Sequence, residues 1–332
     1  MTTSLDTPST PPAPAPPPEA DESATTGGGV WRRGRTVAVL ALTAAAAMLF
    51  HAHIPNQVGH LGSLVETFLP WTGLAVPALL LCALVRRSAT AAVAVVLPAL
   101  TWCSLFGGTL LDKRADGGDL TVVSHNVNEH NPHPAHTARA LAASGADVLA
   151  LEELGSATAQ YERTLAGTYP YHVVRGTVGL WSGYPIDASR TVDIAPWPRA
   201  LRATVRTPKG PVTVFVAHLL SVRFTPFSGF AATARDAAAH RLGDALRAEP
   251  AGRTVLVGDF NGTFEDRALS AVTSRLRSAQ SEAGAGFGLT WPASLPVARI
   301  DHILVRGVDP RASWTLPATD SDHLPVAATL RL

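Results

Sequence analysis

Lysine and cysteine are scarce in this 332-residue chain, and each scarcity removes a class of chemistry. Only Lys113 and Lys209 are lysines, against a large excess of arginine and abundant alanine, a coding bias that carries no functional weight. The two cysteines, Cys82 and Cys103, both fall inside apolar runs. The polar part of the chain therefore has no thiol for a disulfide framework or a cysteine metal site. Charge of one sign is missing as well. The formal net charge is +1, and from residue 115 onward 20 basic residues meet 20 acidic ones with no basic run. A protein that tracks a nucleic-acid backbone usually shows such a run, so nucleic acid is disfavoured as a partner.

Residues 1–30 are Pro, Ala, Thr, Ser and Gly with a few acids. They cannot bury enough apolar surface to order a backbone, and read as a disordered cytoplasmic tail. Trp31, Arg32, Arg33 and Arg35 form a basic cluster ahead of three apolar segments, 36–52, 64–85 and 89–111. A bilayer core takes about 20 apolar residues in a helix. The second and third segments reach that length and the first is slightly short. Pro70, Pro77 and Pro98 are tolerated in membrane helices, and the segments lack the polar faces of soluble helices. Residues 31–112 are expected to form three transmembrane helices.

Basic residues stay on the cytoplasmic side. Arg86 and Arg87 fill the turn between the second and third segments, whereas the loop from His53 to Ser63 has no Lys or Arg. The expected topology is multi-pass in the cell membrane, with the N-terminus cytoplasmic and everything after Leu111 extracytoplasmic. The first segment also has the basic flank and alanine-rich core of a signal peptide. Its cleavage would still leave the C-terminal region outside.

From residue 119 to 332 short strands alternate with helices. Strands are expected at 120–124, 147–151, 171–175, 178–182, 201–206, 212–217, 254–257, 300–305 and 326–332, with helices at 136–144 and 229–248. Such alternation implies an α/β domain of about 215 residues, enough for a full core. Polar residues gather where these strands end: Asn126, Glu153, His218, Asp259 with Asn261, Asp301 with His302, and Asp322 with His323. The clearest case is Thr254 to Val257, a buried-strand run that stops on Gly258 and presents Asp259 and Asn261. Chemistry in α/β proteins usually sits at such strand ends. One strand-end histidine is most often structural; six clusters in this order form a pattern.

The motifs Asn126-Val127, Ala146-Asp147-Val148-Leu149-Ala150-Leu151-Glu152-Glu153, Gly179-Leu180-Trp181-Ser182-Gly183-Tyr184-Pro185-Ile186, Ala217-His218-Leu219, Gly258-Asp259-Phe260-Asn261, Ile300-Asp301-His302-Ile303 and Ser321-Asp322-His323-Leu324-Pro325-Val326 together cover residues 119–332. This region resembles the endonuclease/exonuclease/phosphatase superfamily, metal-dependent phosphoesterases that include DNase-I-like nucleases, inositol-phosphate phosphatases and sphingomyelinases. The resemblance implies a four-layer α/β sandwich, two mixed β-sheets flanked by helices. It also implies magnesium as cofactor, with manganese as the alternative, since a hard cation neutralises phosphate oxygens and takes oxygen ligands.

By the same resemblance Glu153 is the metal ligand, supported by Asn126, with Asp322 on the metal side. Asp259 orients or deprotonates the attacking water, and Asn261 holds that water or a phosphate oxygen. His323, paired with Asp301, contacts the scissile phosphate, and His218 donates to another phosphate oxygen. Two departures stand out. Many family members carry Gln where this chain has Glu152, so the choice of Glu153 rests on register. Nuclease members often carry an acid where this chain has Asn128, which leaves fewer metal carboxylates here.

The loop after His218 contains Arg223, Phe224, Phe227 and Phe230. These phenylalanines either pack the following helix or form a lip that meets a hydrocarbon chain, with Arg223 near a phosphate. The overall plan resembles the VanJ-type membrane proteins of actinomycetes associated with teicoplanin resistance. That resemblance implies hydrolysis of undecaprenyl (polyprenyl) pyrophosphate, with a part in cell-wall recycling and glycopeptide resistance. The expected partners are a lipid-linked phosphate or pyrophosphate and membrane lipid; no protein partner follows. The alternatives are an extracytoplasmic nuclease or sphingomyelinase-like phosphodiesterase, and a non-catalytic membrane binding protein.

Overall fold

A computed structural model describes residues 34–225 and 229–332. The expected tail at 1–30, the basic residues at 31–33 and Phe227 lie outside the described residues.

Two parallel strand pairs form the centre of the fold. β1 (Leu120–Asn126) runs parallel to β2 (Val148–Glu152), with Asn126 opposite Glu152. The remaining strands, in chain order, are β3 (Tyr171–Arg175), β4 (Val178–Ser182), β5 (Ile186–Thr191), β6 (Ala200–Thr207), β7 (Gly210–Ala217), β8 (Arg223–Thr225), β9 (Gly229–Ala231), β10 (Thr254–Asp259), β11 (Arg277–Ser278), β12 (Asp301–Arg306), β13 (Asp309–Thr315) and β14 (Val326–Arg331). β7 and β10 form the second parallel pair. Antiparallel strands complete two six-stranded sheets, ordered β13-β14-β1-β2-β4-β3 and β11-β12-β10-β7-β6-β5. β8 and β9 make a separate hairpin.

Period-two alternation sorts each strand between two layers. Val122, Val148, Val214, Val255, Val257 and Ile303 meet between the sheets. Their neighbours Val123, Leu149 and Leu151 face one outer helical layer, and Phe215, Leu256 and Leu304 the other. This is the expected sandwich of two mixed sheets flanked by helices. Strands buried on both faces read as continuous aliphatic runs, which is why β2, β7 and β10 are plain in the sequence. β5, β11 and β13 were not expected: β5 and β13 are largely polar, β11 spans two residues, and all three are sheet edges.

The helices ahead of the sandwich are α1 (Arg35–Leu49), α2 (Leu61–Thr67), α3 (Ala75–Val85) and α4 (Ala89–Phe106). Val37, Ala83 and Ala91 knit α1, α3 and α4 together, while Leu40, Leu81, Leu84, Val93, Val96 and Leu100 stay exposed. The 21-residue stretch Ala89–Thr109 is long and apolar enough to cross a membrane. α1 is apolar but 15 residues long.

The second expected span, 64–85, is not one straight helix. α2 and the stretch Leu69–Val85 meet at a bend of 68°. Two features of the sequence account for this. Glu66 is fully buried, its Oε2 accepting from the Arg267 backbone N at 3.0 Å, which ties α2 to the sandwich. Pro70 lacks an N–H to continue an α-helix, and Leu69–Leu74 is a 3-10 helix. Three straight spans are therefore not what these residues form.

Within the sandwich, α5 (Pro134–Ala142) and α6 (Thr158–Leu165) cover one sheet and α7 (Thr233–Arg247) the other. The helix expected from Gly229 starts at Thr233 instead. Gly229, at φ +61°, belongs to β9 and pairs with Thr225.

Candidate active site

All four central strands deliver polar groups to one end of the sandwich. Gly258 makes room for this at the end of β10. Its φ is +139°, and a Cβ there would run into the carbonyl oxygen of Ala217 on β7. Asp259 follows it, fully enclosed, and is held on both oxygens. Asn261 N donates to Oδ1 at 2.8 Å, and Asn126 Nδ2 reaches across from the other sheet to Oδ2 at 3.0 Å. The Asn261 amide also donates to the Leu219 carbonyl at 3.1 Å, which fixes its orientation.

His323 sits opposite. Its Nδ1 is 2.9 Å from Asp301 Oδ2, and its Nε2 is 3.9 Å from Asp259 Oδ2. Ser321 locks this turn, donating to the Asn126 carbonyl at 2.7 Å and accepting from His323 N at 3.2 Å. Burial opposes a charge on His323, but the Asp301 and Asp259 carboxylates outweigh it and lift its pKa to about 10. Burial, helped by the neighbouring Asp301 charge, pushes Asp259 up to about 7 against the pull of His323. Asp301 is held below the usual carboxylate range by the same imidazolium, despite its burial.

Glu153 turns out of β2 with φ +58°, an uncommon conformation for a side chain of that size. The turn separates two adjacent acids. Glu153 faces the cleft, its Oε1 3.4 Å from His218 Nε2 and its Oε2 accepting from Glu129 N at 3.3 Å. Glu152 points inward with no exposure; Ser124 Oγ donates to Oε1 at 3.0 Å and Oε2 has no partner among the described residues. Burial raises the pKa of Glu152 well above the ordinary value, so it is a neutral carboxylic acid.

His218 is buried beneath Glu153 and Asp259, 3.7 Å from the latter's Oδ2. It touches the two carboxylates from below and does not line the cleft. The Arg199 guanidinium lies against its ring, Nη2 2.7 Å from Nδ1, and Arg199 Nε donates to the His218 carbonyl at 3.0 Å. Burial and then this guanidinium hold the imidazole well below its usual pKa, hence neutral. Arg199 was absent from the sequence-derived site. A lone arginine ahead of a strand reads as surface, and only the register Ala200↔Ala217 reveals that it faces His218. His302 is structural, stacked on Phe260 at 5.1 Å and bonded to the Gly262 carbonyl at 2.9 Å.

Above this floor opens a cleft of about 490 Å³. Glu153, Asp259, Asn261, His323, Asn128 and Asp322 are among its lining residues, and Asn128 Nδ2 donates to Asp322 Oδ1 at 2.9 Å. Phe224 is among the residues that line the cleft, and Arg223 is not. Val222 and Phe224 face the cleft, and strand alternation sends Arg223 to the other side, exposed.

The donors fit a hard cation. Glu153, Asn126 and Asp322 offer oxygens only, which suits magnesium, and both Glu153 oxygens have only long contacts, at 3.3 and 3.4 Å. Asp259, Asp301 and His323 also converge within 4.8 Å of one another. Within this trio His323 Nδ1 is hydrogen-bonded to Asp301, and the two neighbouring carboxylates favour its charged form.

The profile of the Endonuclease/Exonuclease/phosphatase family matches residues 123–323. No curated protein matches the chain. Among solved structures, D. rerio TDP2 in complex with a single-strand DNA product is 19% identical, with 64% of this chain and 99% of that chain aligned at a TM-score of 0.55. The mannosyl-6-phosphatase of Bacteroides thetaiotaomicron is 16% identical over 64% of this chain and 100% of that one, at 0.53. The beta toxin of Staphylococcus aureus is 16% identical over 63% and 99%, at 0.51. These likenesses carry the fold. The profile spans more than half of the sequence, so the chain belongs to the endonuclease/exonuclease/phosphatase family, the metal-dependent phosphoester hydrolases.

Proposed function

We propose that the chain is a membrane-anchored, magnesium-dependent hydrolase of a lipid-linked pyrophosphate, undecaprenyl pyrophosphate in the first instance, working at the outer face of the cytoplasmic membrane. The observation that carries this reading is a cleft lined both by the candidate catalytic polar groups and by apolar side chains, Leu64, Phe68, Phe224, Phe230 and Trp291. The apolar, outward-facing surface of α1, α3 and α4 supports membrane residence, and the basic residues flanking those helices support an outward-facing sandwich. Turnover of that carrier is the step through which a bearing on glycopeptide resistance follows.

Glu153, with Asn126 and Asp322, would hold a divalent cation, which would supply charge neutralisation at the phosphate oxygens. The protein's own groups do the rest. Asp259, with a pKa near 7, accepts the proton of the attacking water, and Asn261 and Asn126 fix the direction of its lone pairs. His323, charged and oriented by Asp301, donates from Nε2 to a phosphate oxygen where negative charge grows. His218 and Arg199 position Asp259 and Glu153 from beneath.

Phosphate release by the detergent-purified chain is to be measured on undecaprenyl pyrophosphate, sphingomyelin and supercoiled DNA in parallel with Mg²⁺. Release from the lipid pyrophosphate that disappears with EDTA supports the reading. Sphingomyelin cleavage or DNA nicking in its place moves the substrate to a diester, and silence on all three points to a binding protein.

A further inference from the structure

We infer that α2 is a wall of the substrate cleft and takes the hydrocarbon chain of a membrane-borne phosphate ester or anhydride. The identity of that ligand rests on the lipid-phosphate reading above; the wall itself rests on four observations. Leu64 on α2 and Phe68, the residue that caps its C-terminal end, both line the cleft. Phe224 and Phe230 of the hairpin line it too, as does Trp291, whose Nε1 donates to Asp322 Oδ2 at 3.4 Å.

The opposite face of α2 is fastened by buried polar bonds. Ser63 Oγ donates to Asp266 Oδ1 at 3.0 Å, and Glu66 accepts from the Arg267 backbone at 3.0 Å; both side chains are fully enclosed. The Arg267 guanidinium in turn bonds the carbonyls of Ala52 and Ile54. Asp266 pairs with the buried Arg235 at 2.7 Å, and Arg235 donates to the Asn261 carbonyl at 3.1 Å. The polar bonds thus run from α2 to a residue of the active site, and they set which way Leu64 and Phe68 point.

The hairpin is tied to the same segment. Phe230 N donates to the Gly59 carbonyl at 2.9 Å, and Gly229 lies so close to Gly59 that a Cβ would collide with it. Finally, Phe68 leads directly into the stretch that becomes α3, whose Leu80, Leu81 and Leu84 are exposed. An apolar path therefore runs from the helical bundle to the catalytic floor. Phe68 and Trp291 are each 39% exposed and Phe224 is 75% exposed. Such a cluster around a cleft is ligand surface, not core. Each methylene buried there contributes about fourfold in binding.

The test compares kcat/KM of the full chain in detergent on isopentenyl pyrophosphate and farnesyl pyrophosphate with Mg²⁺. The wild type is expected to favour the longer chain by about tenfold or more, and Phe68→Ser and Phe224→Ser each to reduce that ratio by about tenfold. Both side chains are exposed, so the variants fold. An alkyl phosphate with a diazirine at its tail provides a readout independent of turnover and is expected to label the peptide 61–74. A chain-length ratio that is equal in the wild type and both variants, or labelling confined to other peptides, overturns the inference. Labelling of 61–74 without hydrolysis of either pyrophosphate leaves the wall standing and overturns the proposed activity instead.

Discussion

His323 keeps its charge because Asp301 and Asp259 face it, and the whole polar floor depends on that ion pair. Asp301→Asn is expected to lower the His323 pKa well below about 10, as followed by NMR titration of the imidazole, and to bring down the alkaline limb of kcat/KM. The sign of the stability effect follows from linkage. A raised histidine pKa stabilises the fold fully below about pH 6.5 and loses that contribution as pH rises towards 10; a depressed Asp301 loses its own as pH falls below about 4. The wild type should therefore lose stability between pH 6.5 and 10 by an amount that Asp301→Asn does not. Glu152 gives the opposite case. Its pKa is raised by burial, so ionisation of the unfolded chain above about pH 4.5 weakens the fold. Glu152→Gln should be more stable than the wild type at pH 8, with the gap growing by about 1.4 kcal/mol per pH unit above 4.5 until the folded-state pKa is reached. Denaturant melts across pH check this, and a gap that closes as pH rises would refute it. The neutral acid also explains why an amide suits that position. The choice between Glu152 and Glu153 was legible only as a register, because a left-handed turn at the second acid leaves no mark in composition.

Strand ends carry the site, and three of them are bent to do so. Asn128, Glu153 and Asn261 all have positive φ. Asparagine tolerates that conformation; glutamate is strained there by about 1 kcal/mol or more. Glu153→Asn is expected to raise the stability by about that amount while metal-dependent turnover is lost, as read by thermal melts beside phosphate release. The same melts test α2. Glu66→Ala removes the carboxylate that caps the Arg267 backbone and should cost about 3 kcal/mol. The buried strands were legible because an enclosed strand must be aliphatic on both faces, as Val255 to Val257 are. The hairpin at Arg223–Ala231 was not, because its pairing is short and its phenylalanines suit a helix start equally well. Nor was the break at Phe68. Hydropathy counted Glu66 as one polar residue in an apolar run, and only the partner Arg267, distant in sequence, shows that it faces the sandwich.

At the scale of the whole molecule, the helical bundle and the sandwich are one functional unit if the cleft between them receives a lipid. The exposed leucines and valines of α1, α3 and α4 predict that the chain sediments with membranes and is released by detergent but not by high salt or carbonate. Recovery in the salt wash would remove the anchor from the account. The family was legible from the order of its strand-end residues. The apolar wall was not, because it is assembled from Leu64, Phe224 and Trp291, each ordinary in its own stretch. The most direct test of the central claim is phosphate release from undecaprenyl pyrophosphate in vesicles reconstituted with the full chain, beside Asp259→Asn. The account predicts Mg²⁺-dependent release that EDTA abolishes and that Asp259→Asn reduces by about 10²–10⁴. Release that is equal in wild type and variant, or none from either, would contradict it.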